Sequence, residues 1–207
     1  MRTFPDRRAD APDAGRGLEI RAARTRQGAR SCVRALYEGA FPERQRMPWW
    51  LMTALSHSPC VGFSSYFDRG AFCGFSYRID FSSLTYLLFL AVDEQARSSG
   101  VGSRILEGIR AARPEVPVVL DIEAPCEGAP SHDQRIRRMA FYRRNGFRPA
   151  PCLLRSGPIT YQVMSTPGFP GADELARRLR GPGRLFLGGA RVVPIDPEAL
   201  ATDGRFL

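Results

Sequence analysis

The chain contains no lysine, so arginine supplies all 30 of its Lys/Arg positions. One consequence is that no Gly-Lys-Ser/Thr phosphate loop exists anywhere in it. Histidine is scarce too: only His57 and His132 are present, and neither pairs with a cysteine in any recognisable catalytic pattern. The five cysteines, Cys32, Cys60, Cys73, Cys126 and Cys152, form no CxxC pair and are odd in number. That excludes a zinc knuckle and a closed disulfide framework, and no metal site is expected. The thiols read as reduced and mostly buried, in a reducing compartment. No apolar run approaches the ~18–20 residues of a membrane span. The first seventeen residues are rich in Arg and Asp and lack an apolar centre, so they do not form a secretory signal. A cytoplasmic protein with no membrane contact is the expectation.

What is present is ordinary globular material. Apolar residues make up 43% of the 207 and charged residues 25%, enough for one domain with a sizeable core. The formal net charge is +9. A basic surface attracts phosphate at long range, which admits a nucleic-acid reading. The arginines are scattered from Arg2 to Arg205, however, with no cluster interleaved with aromatics as a stacking platform requires. Compositional habit accounts for them more simply, and a small phosphate-rich ligand suits the same charge.

Along the chain, residues 1–16 read as a disordered leader rich in Arg, Asp, Ala and Pro. A strand is expected over 18–23 and a helix over 27–39, with Val33, Leu36 and Tyr37 at helical spacing. Pro48 suits the start of a second short helix through Ser56, which offers Trp49, Trp50, Met52 and Leu55 for burial. Strands over 60–67 and 71–79 flank a tight turn at Asp68-Arg69-Gly70. Residues 84–92 are almost continuously apolar, as a strand buried on both faces should be. A helix over 100–113 and a strand over 116–123 complete a βαβ unit, whose strands must run parallel. Ser131 is the expected cap of a helix over 132–145, closed by Gly146. A hairpin over 147–165 turns at Ser156-Gly157-Pro158. Beyond Pro167 a short helix over 173–180 and an irregular tail are expected. The resulting division is a leader (1–16), a main domain (17–166) and a C-terminal extension (167–207). The element order implies an α/β fold with a mixed sheet and helices on its faces.

One stretch carries chemistry. The buried strand ends at Leu90-Ala91-Val92, and Arg97-Ser98-Ser99-Gly100-Val101-Gly102-Ser103 then opens an amphipathic helix. The first turn of a helix presents unpaired N–H groups and the positive end of its dipole. Glycines there remove Cβ atoms and let an anion approach the backbone. Three serine hydroxyls and Arg97 add donors and charge. The stretch has the physical character of a phosphate cradle, although a tight turn in which glycine merely permits packing would look the same. It lacks the third glycine of a dinucleotide fingerprint.

Arg97-x-x-Gly100-x-Gly102 after an apolar strand resembles the acetyl-CoA pyrophosphate loop of the GNAT superfamily. About forty residues on, Phe141-Tyr142-Arg143-Arg144-Asn145-Gly146-Phe147 is similar to that family's second signature, a helix ending Tyr-x-x-x-Gly-Phe that feeds a strand. The resemblance covers roughly residues 18–165. It implies a mixed, mostly antiparallel sheet whose central parallel pair is splayed for acetyl-CoA, the co-substrate. It further implies that the backbone of Leu90, Ala91 and Val92 pairs with the pantetheine and that Arg97, Ser98, Ser99, Gly100, Val101, Gly102 and Ser103 hold the pyrophosphate. One departure stands out. Where many members have an asparagine and an alanine, seven and four residues before the tyrosine, this chain has Arg135 and Arg138. The asparagine contact to the cofactor therefore does not transfer, and the arginine either meets a cofactor phosphate or faces solvent.

Acylation of an amine needs a base to take a proton and an acid for the departing thiolate. Tyr142 resembles the family's general acid. On a helical wheel it lies at the margin of an Ile136, Met139, Ala140 stripe, where its hydroxyl reaches a cleft or else meets a backbone carbonyl. Strand alternation puts Val119, Asp121 and Glu123 on one face, and paired carboxylates near a strand end are costly unless water or arginine meets them. Glu123, nearest the end where ligands bind in open sheets, is the first choice of base. Asp121, a water chain, or an ion pair with Arg135, Arg137 or Arg138 are the alternatives. Asp93 and Glu94 read as solvated. Tyr37, Trp49, Trp50 and Met52 either wall an acceptor site or pack the core, and His57 reads as a loop residue. The function implied is acetyl transfer from acetyl-CoA to a primary amine on a small molecule or peptide, by direct attack. A non-catalytic acyl-CoA sensor and a basic nucleic-acid-binding protein are the competing readings. Oligomeric state is left open, a homodimer included.

Overall fold

The computed structural model describes residues 17–123, 132–181, 183–187 and 189–196. The leader 1–16, the Ser131 cap, Cys126 and residues 197–207 lie outside the described residues. In chain order the elements are β1 (Leu18–Ala22), α1 (Arg30–Ala40), α2 (Trp49–Leu55), β2 (Val61–Asp68), β3 (Ala71–Asp80) and β4 (Thr85–Val92). Then follow α3 (Val101–Ala112), β5 (Val118–Glu123), α4 (His132–Arg144), β6 (Arg148–Ser156), β7 (Ile159–Ser165), α5 (Ala172–Arg180), α6 (Arg184–Leu187) and β8 (Arg191–Pro194).

All eight strands form one sheet in the order β1-β2-β3-β4-β5-β7-β6-β8. Every neighbouring pair is antiparallel except β4 and β5, which run parallel across α3 as the βαβ reading requires. The β2–β3 hairpin turns on Arg69 (φ 52°) and Gly70 (φ 82°), both left-handed, the geometry that matches strand twist in a two-residue loop. The parallel pair is short. Only Thr85↔Val118 and Tyr86↔Val119 are in register, after which β4 and β5 diverge. At the same point β4 carries a bulge against β3: Tyr77 opposes Phe89 and Arg78 opposes Leu87, leaving Leu88 as the extra residue.

Helices cover both faces. On one, α3 and α4 bury Val101, Ile105, Leu106, Met139 and Tyr142 against Leu87, Leu120, Ile122 and Met164. On the other, α1 and α2 bury Val33, Tyr37 and Met52 against Phe63, Phe75, Tyr77 and Phe89. Beside them α5 buries Leu175 and Leu179 against Val119, Val163, Cys152 and Leu154. The expected α4 stripe is corrected in one place. Ile136 is 45% exposed, and the buried side chains of that helix are Met139 and Tyr142.

The C-terminal extension also differs from expectation. Instead of an irregular tail after residue 180, α6 and β8 form, and β8 pairs antiparallel with β6 from Cys152↔Pro194 to Arg155↔Arg191. Four residues ending in proline have no periodicity of their own. The strand exists because β6 offers an edge, and Pro194 stands at its last position, where a missing N–H costs least. Among the described residues no helix is long and apolar enough to cross a membrane.

Candidate active site

The divergence of β4 and β5 sets two structures side by side. The first is the edge of β4. The N–H of Asp93 donates to the Cys73 carbonyl of β3 at 2.9 Å. Alternation therefore turns the peptide groups of Ala91 toward β3 and those of Leu90 and Val92 toward the split. Beyond the strand, Asp93 caps a 3-10 turn (Glu94–Ala96) by accepting from the Gln95 N–H at 3.0 Å. Glu94 is solvent-exposed, as expected. Arg97 to Gly100 are exposed, and Arg97 Nε donates to the Val92 carbonyl at 3.4 Å. Ser98 (φ 64°) and Gly100 (φ 80°) are left-handed, which reverses the chain into α3. The first helical bond is Arg104 N–H to the Gly100 carbonyl, 3.1 Å. The N–H groups of Val101, Gly102 and Ser103 precede it and have no helical acceptor.

The two glycines serve different ends. At Gly100 an added Cβ would meet nothing within 4 Å, and glycine is suited to the position by its φ. At Gly102 an added Cβ would come within 2.9 Å of the Phe141 ring, so this glycine packs α3 onto α4. The two sequence motifs thus touch one another. Ser99 Oγ is engaged with the Ala96 carbonyl at 2.7 Å, while the Val101 side chain is in the core.

The second structure is a cavity of about 330 Å³ on the opposite face of the split. Leu88 and Phe89 of β4 and Asp121, Ile122 and Glu123 of β5 form its base. Phe41 and the rest of the segment joining α1 to α2 supply one wall together with Leu51 of α2, and Tyr161 and the extension's Phe186 supply another. The expected face assignment holds, with Val118, Leu120 and Ile122 packed under α3 and α4 and the carboxylates on the cavity side.

The two carboxylates are not equivalent. Glu123 accepts from Gln45 Nε2 on one oxygen and pairs with Arg135 on the other. Arg135 therefore points at Glu123. Asp121 accepts a hydrogen bond from the Tyr86 hydroxyl. Burial pushes the Asp121 carboxyl up to about 6, against the downward pull of that hydrogen bond. Tyr142 lies under the split with its ring against Phe141 and Phe147, at centroid separations of 5.1 and 5.5 Å. Burial pushes its hydroxyl up to about 12, with Arg138 drawing it down and Asp121 adding to the rise. Among the described residues the hydroxyl makes no hydrogen bond, so the alternative of a tyrosine anchored to a backbone carbonyl is not what the structure shows.

Several sequence candidates lie elsewhere. Tyr37 and Met52 are fully buried, Trp49 packs on Phe63, Trp50 is 70% exposed, and none of the four lines the cavity. His57 is exposed and outside it. Cys73 and Cys152 are buried, whereas Cys32 is exposed. Tyr86, Gln45 and Phe186 were not anticipated. Tyr86 had a signal: it opposes Val119, two residues before Asp121, and shares its face.

A mixed sheet split after a short parallel pair, with a glycine-bearing helix start at the split, is the GNAT fold. Solved structures with this fold include a Bacteroides thetaiotaomicron protein of the GNAT family (TM-score 0.60, 21% identity, 82% of this chain and 96% of that one). The ribosomal-protein-S18-alanine N-acetyltransferase of Escherichia coli is another (0.54, 17%, 73% and 94%). A third is an aminoglycoside 6'-N-acetyltransferase complexed with coenzyme A (0.55, 13%, 72% and 95%). No curated protein matches the chain. Residues 60–149 match the family model described as Acetyltransferase (GNAT) domain, which spans β2 to the start of β6 and contains both motifs. The chain thus has the fold of the GNAT acetyltransferases, and its residues 60–149 match that family's domain model.

Proposed function

We propose that this protein transfers an acetyl group from acetyl-CoA to a primary amine by direct attack. The catalytic domain would be residues 17–166, with the extension after 167 closing the acceptor cavity through Phe186. The observation that carries this reading is the split itself. It leaves the peptide groups of Leu90 and Val92 without a strand partner beside a helix start whose N–H groups of Val101, Gly102 and Ser103 are free of helical bonds. Those groups fit the amide arm and the pyrophosphate of acetyl-CoA, with Arg97, Ser98 and Gly100 at the exposed rim. Ala91 shapes the same edge but pairs with β3. Bound there, acetyl-CoA supplies the acyl group as an activated thioester.

The remaining chemistry belongs to the chain. Tyr142, whose hydroxyl is uncommitted among the described residues, protonates the sulfur as the C–S bond breaks. A cavity carboxylate takes a proton from the ammonium so that the nitrogen can form the new C–N bond. Glu123 can do so only by releasing Gln45 or Arg135. Asp121 has one side-chain donor, Tyr86, and a carboxyl near neutrality, so it stands ahead of Glu123 for this role. A cytoplasmic setting fits a chain whose buried thiols are unpaired. The test is thiol release from acetyl-CoA by the full chain across a panel of small amines and amine-ended peptides, with products identified by mass. Acetyl-CoA binding without thiol release for any member would sink the enzymatic reading.

A further inference from the structure

We infer that the acceptor is a small amine carrying its own carboxylate close to the nitrogen, with an apolar substituent: in chemical class, an apolar α-amino acid. This rests on the acetyl-transfer reading above and adds the nature of the acceptor. A cavity of about 330 Å³ is at the small end of ligand sites and suits a molecule of that size.

Its charges carry the argument. Arg44, Arg46 and Arg138 line it, along with the carboxylates of Asp121 and Glu123. Arg135 already answers Glu123, and Arg46 donates to the Glu38 carbonyl at 3.3 Å. Arg44 and Arg138, by contrast, make neither an ion pair nor a hydrogen bond among the described residues. They stand at different ends: the charge of Arg44 acts on the Tyr161 hydroxyl, and that of Arg138 on the Tyr142 hydroxyl. A bare alkylammonium would enter a cavity whose fixed charges are positive in sum. An ammonium that brings a carboxylate adds no net charge and gives the uncommitted guanidinium groups an acceptor, matched in geometry to their planar donors. The carboxylate near Arg138 places the nitrogen between Asp121 and the thioester side of the split. The apolar substituent then faces Phe41, Leu51 and Phe186, where burial favours it.

The experiment compares kcat/KM of the full chain for L-leucine and L-phenylalanine with that for isoamylamine and 2-phenylethylamine, the same substituents without the carboxylate. O-Phosphoethanolamine tests a different anion, and N-acetyl products are identified by mass. The expected result is a preference of roughly 10–100-fold for the amino acids, the scale of hydrogen bonds to a charged group. Arg138→Gln and Arg44→Gln, each checked for an unchanged melting curve, should narrow that preference by roughly 10-fold in at least one case. Equal or better use of the carboxylate-free amines or of O-phosphoethanolamine overturns the inference and leaves acetyl transfer standing. A preference unchanged in both variants also overturns it. Thiol release with none of these amines overturns the inference, and acetyl transfer then stands or falls on the wider panel of small amines and amine-ended peptides.

Discussion

At the scale of single residues, the hydroxyl of Tyr142 is the sharpest test, because its ring and its oxygen have separate surroundings. The ring is core, packed on Phe141 and Phe147, while the oxygen bonds to nothing among the described residues. Tyr142→Phe should therefore leave the melting temperature nearly unchanged and lower turnover by roughly 10²-fold or more. Turnover and melting measured on the same preparation decide it, and near-normal turnover would remove the acid assignment. Asp121 makes a prediction about pH. Its carboxyl is raised by burial to about 6 from an ordinary 3.8, so the folded protein holds this proton more tightly than the unfolded chain does. Its contribution to stability is therefore full below about pH 4 and is lost as pH rises through about 6. Activity should move the other way. As base, Asp121 must be ionised, and kcat/KM should rise with pH through a limb near 6, separate from the acceptor amine's own limb at higher pH. Asp121→Asn should abolish the limb near 6, whereas Glu123→Gln should retain it. The opposite pattern would return the base to Glu123.

At the scale of elements, the start of α3 and the extension make separable predictions. Gly100→Asp puts a carboxylate at the left-handed residue before the free N–H groups, where an added Cβ meets nothing within 4 Å. Acetyl-CoA affinity should fall by at least ~10-fold in a calorimetric titration, while Gly100→Asn, equal in size and uncharged, should lose less. Equal losses would mean that backbone strain, and not charge at a pyrophosphate site, is responsible. In the extension, Leu175 is fully buried against the β5–β7 region. Leu175→Ala should cost about 2–5 kcal/mol in urea unfolding, and a cost below ~1 kcal/mol would show that α5 is only loosely docked. These elements also mark where the sequence was legible. β1 to β7 and α1 to α4 follow from hydrophobic period and turn residues, and the two motifs gave the helix start and Tyr142. β8 was illegible because its four residues are held by pairing with β6 and not by local preference. The bulge at Leu88 was hidden too, since a run in which every residue is apolar shows no change of phase when one is inserted. The cavity needed contacts such as Gln45 to Glu123, which join distant segments that no spacing connects.

At the scale of the whole molecule, ligand binding should register as stability. Acetyl-CoA at 100 times its dissociation constant would add about 2.7 kcal/mol, which for a chain of this length is roughly 5–10 °C in melting temperature. A thermal-shift titration measures it, and no shift at saturating concentration would count against the split as the binding site. Absence of lysine has a reading at this scale as well: no side chain of the 207 residues offers an amine to the protein's own reaction. The short parallel pairing has a further consequence. Past Thr85↔Val118 and Tyr86↔Val119 the sheet is two leaves on a common spine, β1 to β4 on one and β5 to β8 on the other. The cavity straddles both, with Leu88 and Phe89 on the first leaf and Asp121, Glu123 and Tyr161 on the second. On the proposed reading, a molecule lodged between the leaves would hold the angle at which they stand open and with it the width of the cavity. If, as proposed, acetyl-CoA occupies the split and the acceptor the cavity, both would bind at one hinge, and whatever affinity the first lent the second would be returned in equal measure.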